Sequence, residues 1–169
     1  CALPISEMAF DHFDRRGQAH MVDVGDKPVT DRRATAEATV ALGPHLLGRV
    51  LDRAVAKGDV LGTARLAGIA AVKRTPELIP LAHPLAVHHV ALDLEPDPGQ
   101  GTVRITCHVR ARERTGVEME AMTGASVAAL TLYDMCKGEE RGITITAVRV
   151  LSKEGGRSGR WVRGEEGRS

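Results

Sequence analysis

The stretch TVRITCHVRARERTGVEMEAMTGASVAALTLYDMCKG, residues 102–138, decides the fold. Its first part alternates strictly. Val103, Ile105, Cys107, Val109 and Ala111 fall on one side, and Arg104, Thr106, His108, Arg110 and Arg112 on the other. Successive strand residues point to opposite faces, so this is a strand with one buried face. From Gly116 to Gly138 the pattern becomes helical, with ionisable residues only at the ends. Glu118 and Glu120 open this helix, and Asp134 and Lys137 close it. Everything from Ala121 to Tyr133 is apolar, small or hydroxylic, so the helix is buried along its length. Its charged tips either cap it, as acids at the start and Lys at the end suit the macrodipole, or line a cavity.

Working outward, Leu85–Leu94 reads as a second strand, ending at Pro96 and the turn Asp97-Pro98-Gly99, and predicts a hairpin with the strand after it. RRATAEATVAL, residues 32–42, is another alternating strand. Gly43-Pro44 starts a helix with Leu46, Leu47, Val50, Leu51 and Ala54 at helical spacing. Gly58 is expected to end that helix, and Asp59 to cap a second one running into Val72. Pro76 and Pro80 then break the chain, and GITITAVRVL, residues 142–151, is a last strand. The order approximates a split βαββαβ unit with an extra helix. The expected fold is α+β and ferredoxin-like: one antiparallel sheet with its helices on one face. Residues 1–18 read as a flexible arm, 19–154 as a single α+β domain, and 155–169 as a flexible Gly-rich basic tail.

Composition narrows the function. The chain of 169 residues is 43% hydrophobic and 27% charged, ordinary for a soluble globular domain. No apolar run is long enough to span a membrane, and the N-terminus lacks the apolar core of a signal peptide. Cys1, Cys107 and Cys136 are scattered without a CxxC pattern, which fits a reducing cytoplasm. A net charge of +1 and only four Phe, Trp or Tyr residues argue against nucleic-acid binding. Eighteen arginines accompany only five lysines, Lys27, Lys57, Lys73, Lys137 and Lys153. Arg stays protonated, whereas a partly buried Lys can exchange its proton, so these lysines are candidates for chemistry.

Glu120 and Asp134 lie 14 positions apart on nearly the same helical stripe, which puts them roughly 21 Å apart along the axis. They cannot share one small site within one chain. Two copies of the helix packed antiparallel would bring head and tail together, and Gly124, Ala125, Ala128 and Ala129 are small enough for such an approach. Lys73 at a helix end suits the dipole or binds phosphate. His83, between two prolines, is either an acid, base or phosphate partner or a core histidine. His88 and His89 would point to opposite faces of a strand, so no metal site is expected.

HMVDVGDKPVTDRRATAE, KGDVLGTARLAGIAAVKRTPELIPLAHPL and TGVEMEAMTGASVAALTLYDMCK, followed by KEGGRSG, together resemble the cyclic pyranopterin monophosphate synthase family, the C protein of molybdenum-cofactor biosynthesis. The likeness covers about residues 20–159. It implies a ferredoxin-like, cytoplasmic lyase, a hexamer built from three dimers with the active site at the dimer interface. It implies conversion of cyclised dihydro-GTP, supplied by a radical GTP cyclase, to cyclic pyranopterin monophosphate with release of pyrophosphate. No cofactor is required, though Mg²⁺ can accompany the triphosphate. By motif position Asp134 is catalytic with Lys57 and Lys137. Leu81, Ala82, His83, Met119 and Glu120 contact substrate, and Lys73, Lys153, Glu118 and Arg32 complete the pocket. Lys27 is left as a surface residue. The family often has Cys where this chain has Ala82, so a thiol there is not needed. Two other readings remain: a non-catalytic nucleotide-binding module, which needs the cations but not Asp134, and a phosphohydrolase, which needs a metal.

Overall fold

The computed structural model describes residues 12–165. Strand β1 (Thr30–Ala41) is followed by α1 (Pro44–Leu51), α2 (Val60–Lys73) and the single turn α3 (Thr75–Leu78). Then come β2 (Val87–Asp97), β3 (Thr102–Glu113), α4 (Glu118–Cys136), β4 (Thr144–Glu154) and the short β5 (Trp161–Val162). The sheet order is β2-β3-β1-β4-β5, antiparallel throughout. The α+β, ferredoxin-like arrangement expected from the sequence is therefore present, with β1 and β2 separated by β3 as a split unit requires.

The alternation read in β3 is realised. Val103, Ile105, Cys107, Val109 and Ala111 are buried, and they meet Ala34, Ala36, Ala38 and Val40 of β1 in one core. Above this face lies α4, with Ala121, Ala125, Ala128, Ala129 and Leu132 inaccessible to solvent. Helix α2 runs back along α4. Asp59 caps α2 by accepting from the Gly62 N–H at 3.0 Å, as its position predicts.

The packing between α2 and α4 is close because both helices lack a side chain at the crossing. A Cβ on Gly68 would lie 2.9 Å from the Gly124 carbonyl oxygen. One on Gly124 would lie 2.7 Å from both Cys107 Sγ and Val72 Cγ2. This corrects the expectation that the small residues of α4 meet a partner's helix. Gly124, Ala125, Ala128 and Ala129 are all buried within the one chain. The large apolar residues that α2 and α4 leave outward are Leu66, Leu130 and Met119, 70%, 57% and 39% exposed.

Other differences are local. Helix α1 stops at Leu51 rather than Gly58, because Arg53 turns into the left-handed region (φ 55°). The breaks expected at Pro76 and Pro80 are present: α2 stops at Lys73 and α3 at Leu78. Pro76 occupies the first turn of the separate α3, where no N–H is needed. Strand β4 continues to Glu154, three residues past the predicted end. The tail expected to be free contributes β5, whose Val162 and Trp161 pair with Ser152 and Lys153. Of the expected N-terminal arm, residues 12–18 include a turn closed by Asp14, whose carboxylate accepts from the N–H groups of Arg16 and Gln18. Residues 1–11 and 166–169 lie outside the described residues.

Gly124→Val should destabilise the protein by roughly 1–3 kcal/mol or more, as overpacking of a filled contact does. Gly48→Ala, in α1 with open space around its Cβ, should instead gain about 0.5–1 kcal/mol. Urea unfolding midpoints check the opposite signs.

Candidate active site

Topology gathers functional residues at both ends of α4. Because β4 and β3 run opposite to β1, the start of β1, the end of β3, the head of α4 and the end of β4 meet at one end of the sheet. The tail of α4 and the loop before α2 meet at the other.

At the tail, Lys57 Nζ donates to the Asp134 carbonyl oxygen at 2.8 Å and lies 3.3 Å from its Oδ2. Lys137, one turn along the helix, reaches Asp134 Oδ1 at 2.7 Å. The three residues expected to be catalytic are thus one cluster. Hydrogen bonding from Lys137 first, then Lys57, holds the Asp134 carboxyl below its ordinary range. The same bond from Asp134 raises Lys137. All three side chains are about half exposed. A carboxylate between two ammonium groups orients them, and it is the ammonium groups that can donate protons and stabilise negative charge developing on a bound oxygen.

At the head, a cavity of about 350 Å³ is lined by Leu81, Ala82 and His83 together with Glu118, Met119 and Glu120. His83 Nε2 donates to the Val22 carbonyl at 2.6 Å. A carbonyl only accepts, so Nε2 carries a proton and Nδ1 is the free nitrogen of the neutral ring. Glu120 is 3% exposed, and burial pushes its carboxyl up to about 7. Its own backbone N–H opposes this shift, and Glu118 adds to it. Glu120 therefore carries an exchangeable proton near neutrality.

A second cavity, of about 540 Å³, adjoins the first through Lys27, Thr115, Gly116 and Glu118, which line both. Its cations are Lys27, Arg32, Arg114, Lys153 and Arg157. Arg32 is buried and donates to the carbonyls of Glu113 and Arg114 at 3.2 and 3.0 Å. Arg114 donates to the Gly25 carbonyl, and to that of Lys27 at 3.0 Å. Lys153 donates to the Ser158 hydroxyl. Gly156 (φ 74°) packs against the Arg32 guanidinium and leaves no room for a Cβ.

Eleven of the twelve expected site residues therefore fall into the tail cluster or the paired head cavities. Lys73, exposed at the end of α2, lines neither. Sequence reading missed Arg114 and Arg157, and set Lys27 aside as a surface residue. The scarcity of lysine was the signal that should have flagged Lys27. Both described cysteines are buried and free, and burial raises Cys107 to about 12 and Cys136 above its ordinary value, so neither is a ready nucleophile. Among the described residues no three His, Cys, Asp or Glu side chains gather where they could hold a metal ion, and no helix is long and apolar enough to cross a membrane.

Glu120 also makes a sign-definite prediction about stability. Its folded pKa of about 7 exceeds its ordinary 4.5, so the folded state holds the proton more tightly and loses stability as pH rises through that window. Glu120→Gln should melt progressively higher than the parent between pH 4.5 and 7. The difference should level off above that at up to about 3 kcal/mol. Thermal melts across pH check it, and a constant offset would contradict it.

Residues 21–156 match a family model described as the MoaC family. A cyclic pyranopterin monophosphate synthase from Geobacter metallireducens is 62% identical over 158 residues, covering 94% of this chain and 99% of the relative. One from Geobacter sulfurreducens is also 62% identical, over 160 residues, covering 95% and 99%. One from Rhodospirillum rubrum is 51% identical over 159 residues, covering 94% and 96%. With the family motifs gathered at the two ends of one helix, and the match spanning nearly the whole domain, the chain belongs to the MoaC family.

Proposed function

We propose that this protein is a cyclic pyranopterin monophosphate synthase acting in molybdenum-cofactor biosynthesis. Its substrate is the cyclised dihydro-GTP made by a preceding radical GTP cyclase, and it works as a lyase in the cytoplasm. The observation that carries this reading is the gathering of Lys57, Asp134 and Lys137 at one end of α4, with buried Glu120 and His83 at the other. Purine ring opening and re-closure require several proton transfers, suited to these groups. Attack on the α-phosphate with pyrophosphate leaving requires clustered cations, as the second cavity supplies.

In this reading Glu120 and His83 Nδ1 exchange protons with the ring portion, while Lys57 and Lys137, oriented by Asp134, serve the oxygens that gain charge. No resident cofactor is invoked; Mg²⁺, where present, travels with the substrate triphosphate. The two clusters act on one substrate only if the tail of one copy faces the head of another. The active unit is therefore a dimer, assembled three times into a hexamer. The exposed Leu66 and Leu130 are an apolar surface that such an assembly would cover.

Incubation with cyclised dihydro-GTP should yield a fluorescent pterin and one pyrophosphate per turnover, and neither product would form if the protein only bound nucleotide. Lys57→Arg and Lys137→Arg keep charge but not ready proton exchange. Each should lower kcat by roughly 10²–10⁴-fold with substrate affinity little changed. Near-parent kcat would leave these lysines a purely electrostatic role. Mixing Glu120→Gln protein with Asp134→Asn protein should restore about a quarter of parental activity, because half of randomly mixed dimers carry one intact site of two. No recovery after subunit exchange would count against a shared site.

A further inference from the structure

Lys27 and Arg157 stand apart from the other cations of the head cavities, and of the two Lys27 alone lines both cavities. Arg32, Arg114 and Lys153 each have side-chain N–H groups committed to protein acceptors. Among the described residues, neither the Lys27 nor the Arg157 side chain makes a hydrogen bond or ion pair, and Lys27 is exposed. Lys27 lines the cavity holding His83 and Glu120, and it also lines the cavity holding Lys153 and Arg157. Its backbone is nonetheless fixed. The Lys27 N–H donates to the Val24 carbonyl at 3.1 Å, and the Lys27 carbonyl accepts from Arg114 at 3.0 Å. Pro28 follows it directly and restricts its backbone to extended conformations. An ammonium group without a protein partner, on an anchored turn, at the junction of a polar pocket and a cationic one, is suited to a ligand anion.

Taking the substrate to be the triphosphate nucleotide proposed above, we infer that Lys27 is a substrate-binding residue whose ammonium group holds the phosphate at the junction of the two cavities. The ring portion then lies on the His83 side, and the outer phosphates lie toward Lys153 and Arg157. Lys27 acts by binding and takes no proton.

The test compares Lys27→Met, Lys27→Arg and Arg104→Met. The last removes an equal charge at an exposed residue paired with Glu95 and lining neither cavity. Calorimetric titration with inorganic tripolyphosphate should show Lys27→Met binding roughly 10- to 100-fold more weakly, the range for losing one charge-assisted hydrogen bond. Lys27→Arg should stay within a few-fold of the parent, and Arg104→Met should match it. With cyclised dihydro-GTP, KM for Lys27→Met should rise by a similar factor while kcat changes less. Melting temperatures should be unchanged, because the turn is held by backbone groups. Parent-like affinity in Lys27→Met, or no tripolyphosphate binding by the parent, would overturn the assignment. If the parent binds tripolyphosphate but converts no cyclised dihydro-GTP, the proposed activity fails while the titration still decides the role of Lys27.

Discussion

Everything in this molecule depends on how little room there is around the middle of α4. Cys107 of β3 and Val72 of α2 press on Gly124, and its carbonyl oxygen faces Gly68. On the faces turned to α2 and β3 this helix cannot carry a charge without leaving that charge unsolvated. Its ionisable residues stand at its tips, and its outward face reaches solvent through Leu130. The same contact fixes the helix along and around its axis, so it sets where those tips stand relative to the sheet. The separation of Glu120 from Asp134 follows from the helical rise, and the packing fixes where each end of it stands.

The two tips solve opposite electrostatic problems. Around Asp134 the groups are half exposed and paired: hydrogen bonds from Lys137 and Lys57 stabilise the carboxylate, and Asp134 stabilises the charged form of Lys137. That end keeps its charges. Around Glu120 burial dominates, and the carboxyl is close to balance between its two forms near neutral pH. That end changes charge readily. Beside it, Arg32 and Arg114 close the ends of β1 and β3 by satisfying backbone carbonyls, so these two cations are framework as much as binding surface.

Much of this was legible in the residues. The β2–β3 hairpin, the long helix and the element order follow from periodicity, which directly reports which side of an element is buried. The capping of α2 by Asp59 was legible because capping is local. The partner of a small-residue stripe was not. Gly124, Ala125, Ala128 and Ala129 announce a close approach, but a helix wheel holds no information on whether the neighbour is α2 or another chain. β5 was hidden because two pairing residues, Trp161 and Val162, sit among glycines and charges without any period. The tail cluster was legible through the resemblance of the motifs, since Lys57 reaches Asp134 from 77 positions away in the chain. The place of Arg114 in the cavity wall arises from the closing of a turn onto the end of β3, a long-range contact that no local pattern carries.

The pairing of Trp161 with Lys153 gives the C-terminal segment an unexpected leverage. Lys153 belongs at once to a cavity wall and to a ladder of only two residue pairs, the other being Ser152 with Val162. Arg163 adds to the ladder by donating its backbone N–H to the Leu151 carbonyl at 2.8 Å and its Nε–H to the Val150 carbonyl at 2.7 Å. A fusion partner or affinity tag attached behind it would act as a load on a hinge whose other arm is the cavity wall. For anyone engineering this enzyme, the end of the chain that looks most disposable is a mechanical handle on the pocket.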